Sequence, residues 1–485
     1  MRTIDPLERG PLAPSKGIKK GPVAREISVY HWRFIGARAG IVSKLSCADC
    51  AICRLPEQVG KDKMSNPTVG SALRACDRMP SMTPEQTRER LVVLTMSAVQ
   101  FVNILDFMVV MPLGPDFARA LNVSAAHLGY VGGSYTASAA ISGIVCAFFL
   151  DRFDRRKALL VCMLGLSLGT LLGGFAFSFE SLLAARIVAG AFGGPATSLC
   201  FSIIADVIPA ERRGRATGAV MGAFAAASVL GVPASLELAR IGGWQFPFFA
   251  ISGLGLLIVI VAARVLPAMR KHLEVARTPV MKGFAELARP AVLISYVMTF
   301  LAMASGFILI PNISAYTQYN LHYPRERLGL LYGVGGVVSF FTTRFSGRLV
   351  DRVGSTATVM IGCVCLSATI YAGFAVLPPL LPAAAMFMLF MFSMGMRNVA
   401  YNTLTSKVPR PQERAQFLSM QSAVQHLASA LGAFASSRIL SETSEHALIG
   451  MPVVAFTSIA LSLALPPVVY FVERGVKQRA AVKVG

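Results

Sequence analysis

The sequence predicts an all-α integral membrane protein with twelve transmembrane helices, built as two six-helix pseudo-repeats. Three observations lead there. From about residue 91 of the 485, apolar runs of about 20 residues follow one another almost without pause. As a helix, a run of that length crosses a hydrocarbon core of about 30 Å. Lysine and arginine crowd into alternate gaps between the runs. Landmark residues of the first half return 200 positions later in the second.

The runs lie near 91–113, 125–149, 157–178, 181–206, 215–238, 246–267, 290–313, 327–345, 356–377, 381–405, 414–437 and 447–472. Lipid offers the backbone no water, so every peptide group needs an internal partner. Continuous runs this long find it as helices rather than as barrel strands. The 42 glycines and 27 prolines are compatible with this, because membrane helices tolerate both. A mean hydropathy of +0.59 argues against a soluble chain.

The formal net charge of +21 raises nucleic acid as a partner, and its placement argues against one. Of the 46 Lys and Arg, 16 lie in residues 1–90, and 22 lie in alternate gaps and the tail after 472. The other gaps hold five: Arg119, Arg240, Arg325, Arg327 and Arg438. Positive loops stay in the cytoplasm. Both termini are therefore expected there, in a multi-pass protein of a bacterial-type inner (plasma) membrane.

Residues 1–88 are basic and lack a sustained apolar period, the composition of a disordered cytoplasmic extension. Met79 and Met82 stand just before "TPEQTRERLVVLTM", which reads as a translation start; a genuine cytoplasmic tail is the alternative. The expected domains are a six-helix bundle at 89–267, a basic cytoplasmic linker at 268–289, a second bundle at 290–472 and a tail at 473–485. Cys47, Cys50 and Cys53 have a metal-like spacing, with Cys76 a distant fourth. A closed zinc site takes four ligands, and neither metal nor cofactor is expected.

The repeat carries the organisation further. "LDR" at Leu150, Asp151 and Arg152 returns as "VDR" at Val350, Asp351 and Arg352. Leu128-Gly129 pairs with Leu328-Gly329, Phe107 with Phe307, and Pro209 with Pro409. Several landmarks at one offset point to a transporter of two parallel repeats. In these residues the chain resembles the major facilitator superfamily over about residues 88–475. The family signature between helices two and three is Gly-x-Leu-Ala-Asp-Arg-x-Gly-Arg-Lys. Here it reads "AFFLDRFDRR" from Ala147, including Asp151, Arg152, Arg155 and Arg156, with Asp154 where the family has Gly. The second copy, "GRLVDRVG", carries Gly347, Asp351, Arg352 and Gly354. Helix four has "RIVAG" from Arg186, similar to the Arg-x-x-x-Gly signature of the drug:proton antiporter branch. Helix five has "SVLGVPAS" with Gly231 and Pro233, similar to that branch's Gly-x-Pro antiporter motif, with Ser235 in place of a second glycine.

Asp106 is the acid placed deepest in a helix, and an ionisable group at that depth needs a cavity or a partner. Arg186 sits at similar depth. The resemblance implies that helices one, four, seven and ten line the central cavity, so Asp106 and Arg186 are expected to face it and to serve proton coupling. A static structural pair is the alternative. Asn103 lies one turn before Asp106 and shares its face. Arg397 and Asn398 on helix ten, and Gln421 and Gln425 on helix eleven, are candidate cavity residues; interhelical hydrogen bonding is the other reading of the glutamines. Tyr316, Tyr319 and Tyr323 read as an interfacial aromatic belt. The resemblance implies that Asp151 holds the start of helix eleven, and Asp351 the start of helix five, as cytoplasmic gate latches. Negative charge is favoured at helix N-termini. A loop charge that only sets topology is the alternative.

The expected function is secondary transport: proton-coupled efflux of a small amphipathic molecule by alternating access. The expected partners are that molecule, protons and the bilayer, with the protein a monomer. A sugar or organic-acid uniporter or symporter is the alternative within the superfamily, and a non-transporting receptor or scaffold the alternative outside it. No Gly-x-x-x-x-Gly-Lys-Ser/Thr loop appears, and no catalytic cluster that would make an enzyme.

Overall fold

A computed structural model of the chain describes residues 84–149, 153–269, 289–409 and 414–482. The cysteine cluster, Met79, Met82, nearly all of the extension, most of the linker, and Asp151 and Arg152 lie outside the described residues.

Twelve helices follow in order: α1 (Pro84–Val109), α2 (Leu128–Phe149), α3 (Arg155–Gly174) and α4 (Phe179–Val207). Next come α5 (Ala210–Ala226, a π turn at Ala227–Gly231, then Val232–Gly242) and α6 (Phe246–Val265). The second half runs from α7 (Pro290–Phe307, resuming as Ile310–Ala315 and a π turn at Tyr316–Asn320) to α8 (Leu328–Val353) and α9 (Ser355–Ile370 with a π turn at Tyr371–Ala375). It closes with α10 (Ala383–Thr405), α11 (Arg414–Ile439) and α12 (Met451–Leu463 and Leu465–Val482). Between α11 and α12, β1 (Ser441–Glu442) pairs antiparallel with β2 (Leu448–Ile449). Among the described residues, ten helical segments are long and apolar enough to cross a membrane. With α2 and α11, of 22 and 26 residues, they make the twelve. Helix α1 begins earlier than expected, with Glu89 paired to Arg212 of α5 at 3.0 Å, and α12 runs on through the expected tail.

Local chemistry sets several ends. Asp154 caps α3, its carboxylate accepting the Arg156 N–H at 2.9 Å; this is what stands in place of the signature glycine. Ser178 and Ser181 form a reciprocal cap on α4. The break in α7 at Ile308 and Leu309 precedes Pro311, which lacks an N–H and disfavours helix in the residue before it.

An even number of crossings places both ends of the described chain on one side, called here the near face; the other is the far face. The outer shell is apolar throughout: Leu164, Leu168, Leu172, Leu257, Ile260 and Val297 are all exposed, as lipid requires and water would not tolerate on this scale. Within each half, small residues let helices approach closely. A Cβ on Gly190 of α4 would lie 2.2 Å from the Tyr135 carbonyl of α2, and one on Gly169 of α3 would lie 2.6 Å from the Ala189 nitrogen of α4. Phe107 and Phe307, predicted as repeat mates, touch each other across the two halves with ring centroids 5.7 Å apart. Two residues related by a twofold can meet only on its axis, so this pair marks the pseudo-twofold.

Close approach makes Gly190 intolerant of a side chain. Gly190→Val should lower thermal stability in detergent by the cost of overpacking, about 1–3 kcal/mol. Gly253→Val, at a position with open space, should leave the unfolding temperature unchanged.

Candidate functional site

The expected charge pair forms. Arg186 of α4 donates through one terminal nitrogen to both oxygens of Asp106 of α1, at 2.9 and 3.1 Å, and through the other to the Asp106 backbone carbonyl at 3.3 Å. Exposure is 0% for the acid and 1% for the arginine. The pair is not isolated. Thr170 of α3 donates to Asp106 at 2.8 Å. The Tyr135 ring of α2 lies 4.6 Å from the Arg186 guanidinium carbon, a cation–π distance. The Tyr135 hydroxyl donates to the Asn103 side-chain oxygen at 2.8 Å. Asn103 in turn donates to the Gly193 carbonyl at 2.8 Å and to the Thr197 hydroxyl at 2.9 Å, both on α4. Four helices of the first half thus enclose the pair. The structure brings together Asn103, Asp106 and Arg186, and it differs from the expectation that both charges face an open cavity.

Tyr135 and Thr170 were not singled out by the sequence, since neither belongs to a signature and a hydroxyl on a membrane helix bonds its own backbone by default. The Thr170 hydroxyl also stands 2.8 Å from the Leu166 carbonyl, so the two acceptors share its single proton. Phe107 links the cluster to the axis, stacking on Tyr135 at 5.5 Å while it touches Phe307.

Arg397 forms a second, different cluster. It is fully buried and donates to the Ser305 hydroxyl at 2.6 Å, the Ala302 carbonyl at 2.8 Å and the Asn398 side-chain oxygen at 3.3 Å. Gln421 is buried, with its side-chain oxygen unpartnered, and Gln425 is half-buried; they join neither cluster by a hydrogen bond among the described residues. Gly231 and Pro233 fall at the π turn of α5. A Cβ on Gly231 would meet Leu105 of α1 at 2.7 Å, and Pro233 packs beside Gly333 of α8. Single π turns inside helices recur at functional sites.

Among the described residues of the first loop signature, two arginines reach helices of their own half. Arg155 pairs with Asp206 at 2.8 Å and donates to the Ser202 carbonyl at 3.0 Å, both on α4. Arg156 donates to the Ala263 carbonyl of α6. Asp351 and Arg352 are exposed, and no ion pair engages Asp351 among the described residues. No hydrogen bond or ion pair joins Asp351 to the start of α5 among the described residues. Gly347 has open space around it, while Gly354 turns the chain between α8 and α9 at φ +89°, a backbone that favours glycine. Tyr316, expected at an interface, is instead buried and donates to the Gly373 carbonyl at 3.1 Å.

The contacts between the halves described next lie at the far face. On the far side, a Cβ on Gly129 or Gly133 of α2 would strike the Ala433 carbonyl or the Phe434 ring of α11, and one on Gly336 of α8 would strike the Ser228 carbonyl of α5. Towards the near side, Gly143 of α2, Gly214, Gly218 and Gly222 of α5, and Gly347 of α8 have nothing within 4 Å. Polar contacts across the halves also sit at the far side. Arg325 donates to both oxygens of Asp116 at 2.9 Å, Ser314 to the Pro112 carbonyl at 2.9 Å, and the Ala125 N–H to Glu442 at 2.7 Å. Burial of Glu442 acts to raise its pKa, but the Ser124 hydroxyl, His446 and the Ala125 N–H outweigh it and hold the carboxyl below the usual carboxylate range. Its charge therefore persists on acidification until the pH falls through that lowered value.

The model of the Major Facilitator Superfamily matches residues 96–433. The chain belongs to that superfamily. A Bacillus subtilis (strain 168) relative, the MFS-type transporter YceJ, is 24% identical over 61% of this chain and 76% of its own. The tetracycline resistance protein, class H, of Pasteurella multocida is 28% identical over 57% of this chain and 72% of its own. Among solved structures, a bacterial homologue of the human lysosomal transporter Spinster, crystallised inward-facing and unoccupied, has a TM-score of 0.64 at 18% identity, covering 82% of this chain and 99% of that one. This superfamily member is a multi-pass membrane transporter, not an enzyme.

Removing one partner of a buried ion pair leaves a bare charge. Arg186→Met should therefore cost about 3–5 kcal/mol of stability. The double variant Asp106→Asn/Arg186→Met should cost clearly less than the sum of the single losses, as read by thermal unfolding of the purified protein.

Proposed function

We propose that this transporter exports a small amphipathic molecule in exchange for protons, as a monomer working by alternating access. The observation that carries the reading is the Asp106–Arg186 pair, a titratable group buried inside a lipid-embedded bundle and tied to the axis through Tyr135 and Phe107. Antiport needs a group that takes a proton on one side and releases it on the other. A carboxylate does this when conformational change alters its solvation and its distance from the guanidinium. Similarity to a tetracycline resistance protein supports export as the direction. Positive charge concentrated in the near-face loops supports a cytoplasmic near face, so the far-closed arrangement is the inward-facing state.

In that state the substrate enters from the cytoplasm between the halves. Half-buried methionines of the second half, Met303 of α7 and Met391 and Met394 of α10, would offer polarizable and adaptable surface for an apolar body. Asn398 adds a polar group beside them. Opening of the far gate then lets water reach the first-half cluster, Asp106 takes a proton, and substrate leaves. The return to far closure re-forms the pair seen here and discharges the proton inward.

The test is transport in proteoliposomes, with tetracycline as first probe within a panel of amphipathic drugs. Asp106→Asn keeps size and hydrogen bonding but cannot titrate. It should still bind substrate and lose accumulation driven by a pH gradient, leaving downhill movement; Asp106→Glu should retain part of the coupled activity. Uphill pumping by Asp106→Asn on a proton gradient would move the coupling role elsewhere.

A further inference from the structure

We infer that Glu442 and Asp116 are reciprocal latches of the far gate, each half sending one carboxylate to the turn that opens the second helix of the other half. The two target turns are repeat mates. Ala125–His127 precedes α2 and Arg325–Arg327 precedes α8, both are single 3-10 turns, and they stand 200 residues apart. The C-terminal half reaches the first through Glu442, which accepts the Ala125 N–H at 2.7 Å. The N-terminal half reaches the second through Asp116, which accepts two hydrogen bonds at 2.9 Å from the Arg325 guanidinium.

The acids themselves are not repeat mates. Position 316 is tyrosine and position 242 is glycine, Asp116 comes from the short helix Gly114–Ala120 after α1, and Glu442 from β1 after α11. Each half has found its own carboxylate for the same target, so the target rather than the acid is the common element. Both contacts are sheltered: the Asp116 and Arg325 side chains are 15% and 20% exposed, and that of Glu442 is 11% exposed. Ionised hydrogen bonds in sheltered positions are stronger than surface ones. Helix α2 packs along α11, and α8 along α5, at glycines that press on the opposite half towards the far face. The start of each gate helix is thus the point where the far contact is fastened. The opposite ends of α2 and α8 lead to Asp151 and Asp351, and in this far-closed arrangement Asp351 is exposed. Gripping α2 and α8 at their far ends is what closing the far side of a rocking pair requires. This rests on the alternating-access reading but not on protons or on the direction of transport.

The test places a reporter, Ser314→Cys, in a background lacking the native cysteines. Ser314 is buried against Pro112 of the other half, so a membrane-impermeant maleimide applied from the far side labels it only when the far gate opens. Glu442→Ala and Asp116→Ala should each raise the labelling rate about tenfold, the factor that corresponds to 1.4 kcal/mol in a two-state balance, and the pair together more. Substrate affinity from the near side should fall in step with the lost inward-facing population. Arg325→Asp should open the gate, and the swap Asp116→Arg/Arg325→Asp should close it again, an outcome that general loss of structure would not give. If Glu442→Ala does not fold, Glu442→Gln, which keeps an acceptor for Ala125 but no charge, should give an intermediate rate. Unchanged labelling in the folded variants, or no reclosure in the swap, would overturn the latch. Raised labelling in a protein that shows no pH-driven export would instead leave the latch standing and sink the export reading.

Discussion

A carboxylate and a guanidinium share one buried site in the first half, and much of that half's packing exists to make this tolerable. A lone charge there would cost several kcal/mol. The cost is met by direct pairing, by Thr170 and by the Tyr135 ring, and each of these demands proximity that only small residues allow. Gly190 and Gly193 sit one and two turns from Arg186 along α4, and a Cβ on either would collide with Tyr135. The Arg-x-x-x-Gly spacing is therefore a packing statement as well as a charge statement: the glycine lets α2 come close enough for its tyrosine to cover the arginine.

The second constraint is the pseudo-twofold axis. Phe107 follows Asp106 directly and meets its own repeat mate Phe307, so the residue next to the charge pair is also a residue at which the two halves meet. A change at Asp106 need travel only one peptide to reach the interface. Far-face contacts lie along α2 with α11 and α5 with α8, where glycines of one helix receive backbone carbonyls or a ring of the other, as Gly133 receives Phe434 and Gly336 the Ser228 carbonyl. Close but interchangeable packing of this kind holds a closed state without the deep interdigitation that would prevent its opening.

Most of the architecture was legible in the sequence because lipid imposes it. Apolar runs give the helices, positive gaps suggest their direction, and the offset of 200 gives the duplication down to the Phe107–Phe307 contact. The Asp106–Arg186 pair was legible for the same reason, since intramembrane charge is rare enough to be conspicuous. What escaped was everything uncharged or local to a fold. Tyr135 and Thr170 are ordinary helix residues until three dimensions bring them to the pair. Asp116 and Glu442, on a short helix and a short strand between the long helices, were not singled out by the sequence. Their single visible signal was position, acids on a face with few charges, next to turns that precede repeat-related helices. Tyr316 shows the reverse error, an aromatic assigned to a water–lipid boundary that folding buries inside the bundle.

The two halves share a frame but not a charge design, and the difference bears on mechanism. Offset by 200, Asp106 corresponds to Gly306 and Arg186 to Met386. The second half has its own buried arginine eleven residues further along α10, and it is satisfied by neutral dipoles: the Ser305 hydroxyl, the Ala302 carbonyl and the Asn398 amide oxygen. A Cβ on Gly306 would lie 3.7 Å from the Arg397 guanidinium, so the place of an acid is within reach and is empty of one. Arginine does not give up its proton in proteins, and hydroxyl and carbonyl groups do not titrate in this range. A cluster of this composition can hold geometry but cannot exchange protons. On the antiport reading, the acid that carries the proton is therefore in the first half, while Asn398 and Met394 of the second half stand beside a charge that is fixed.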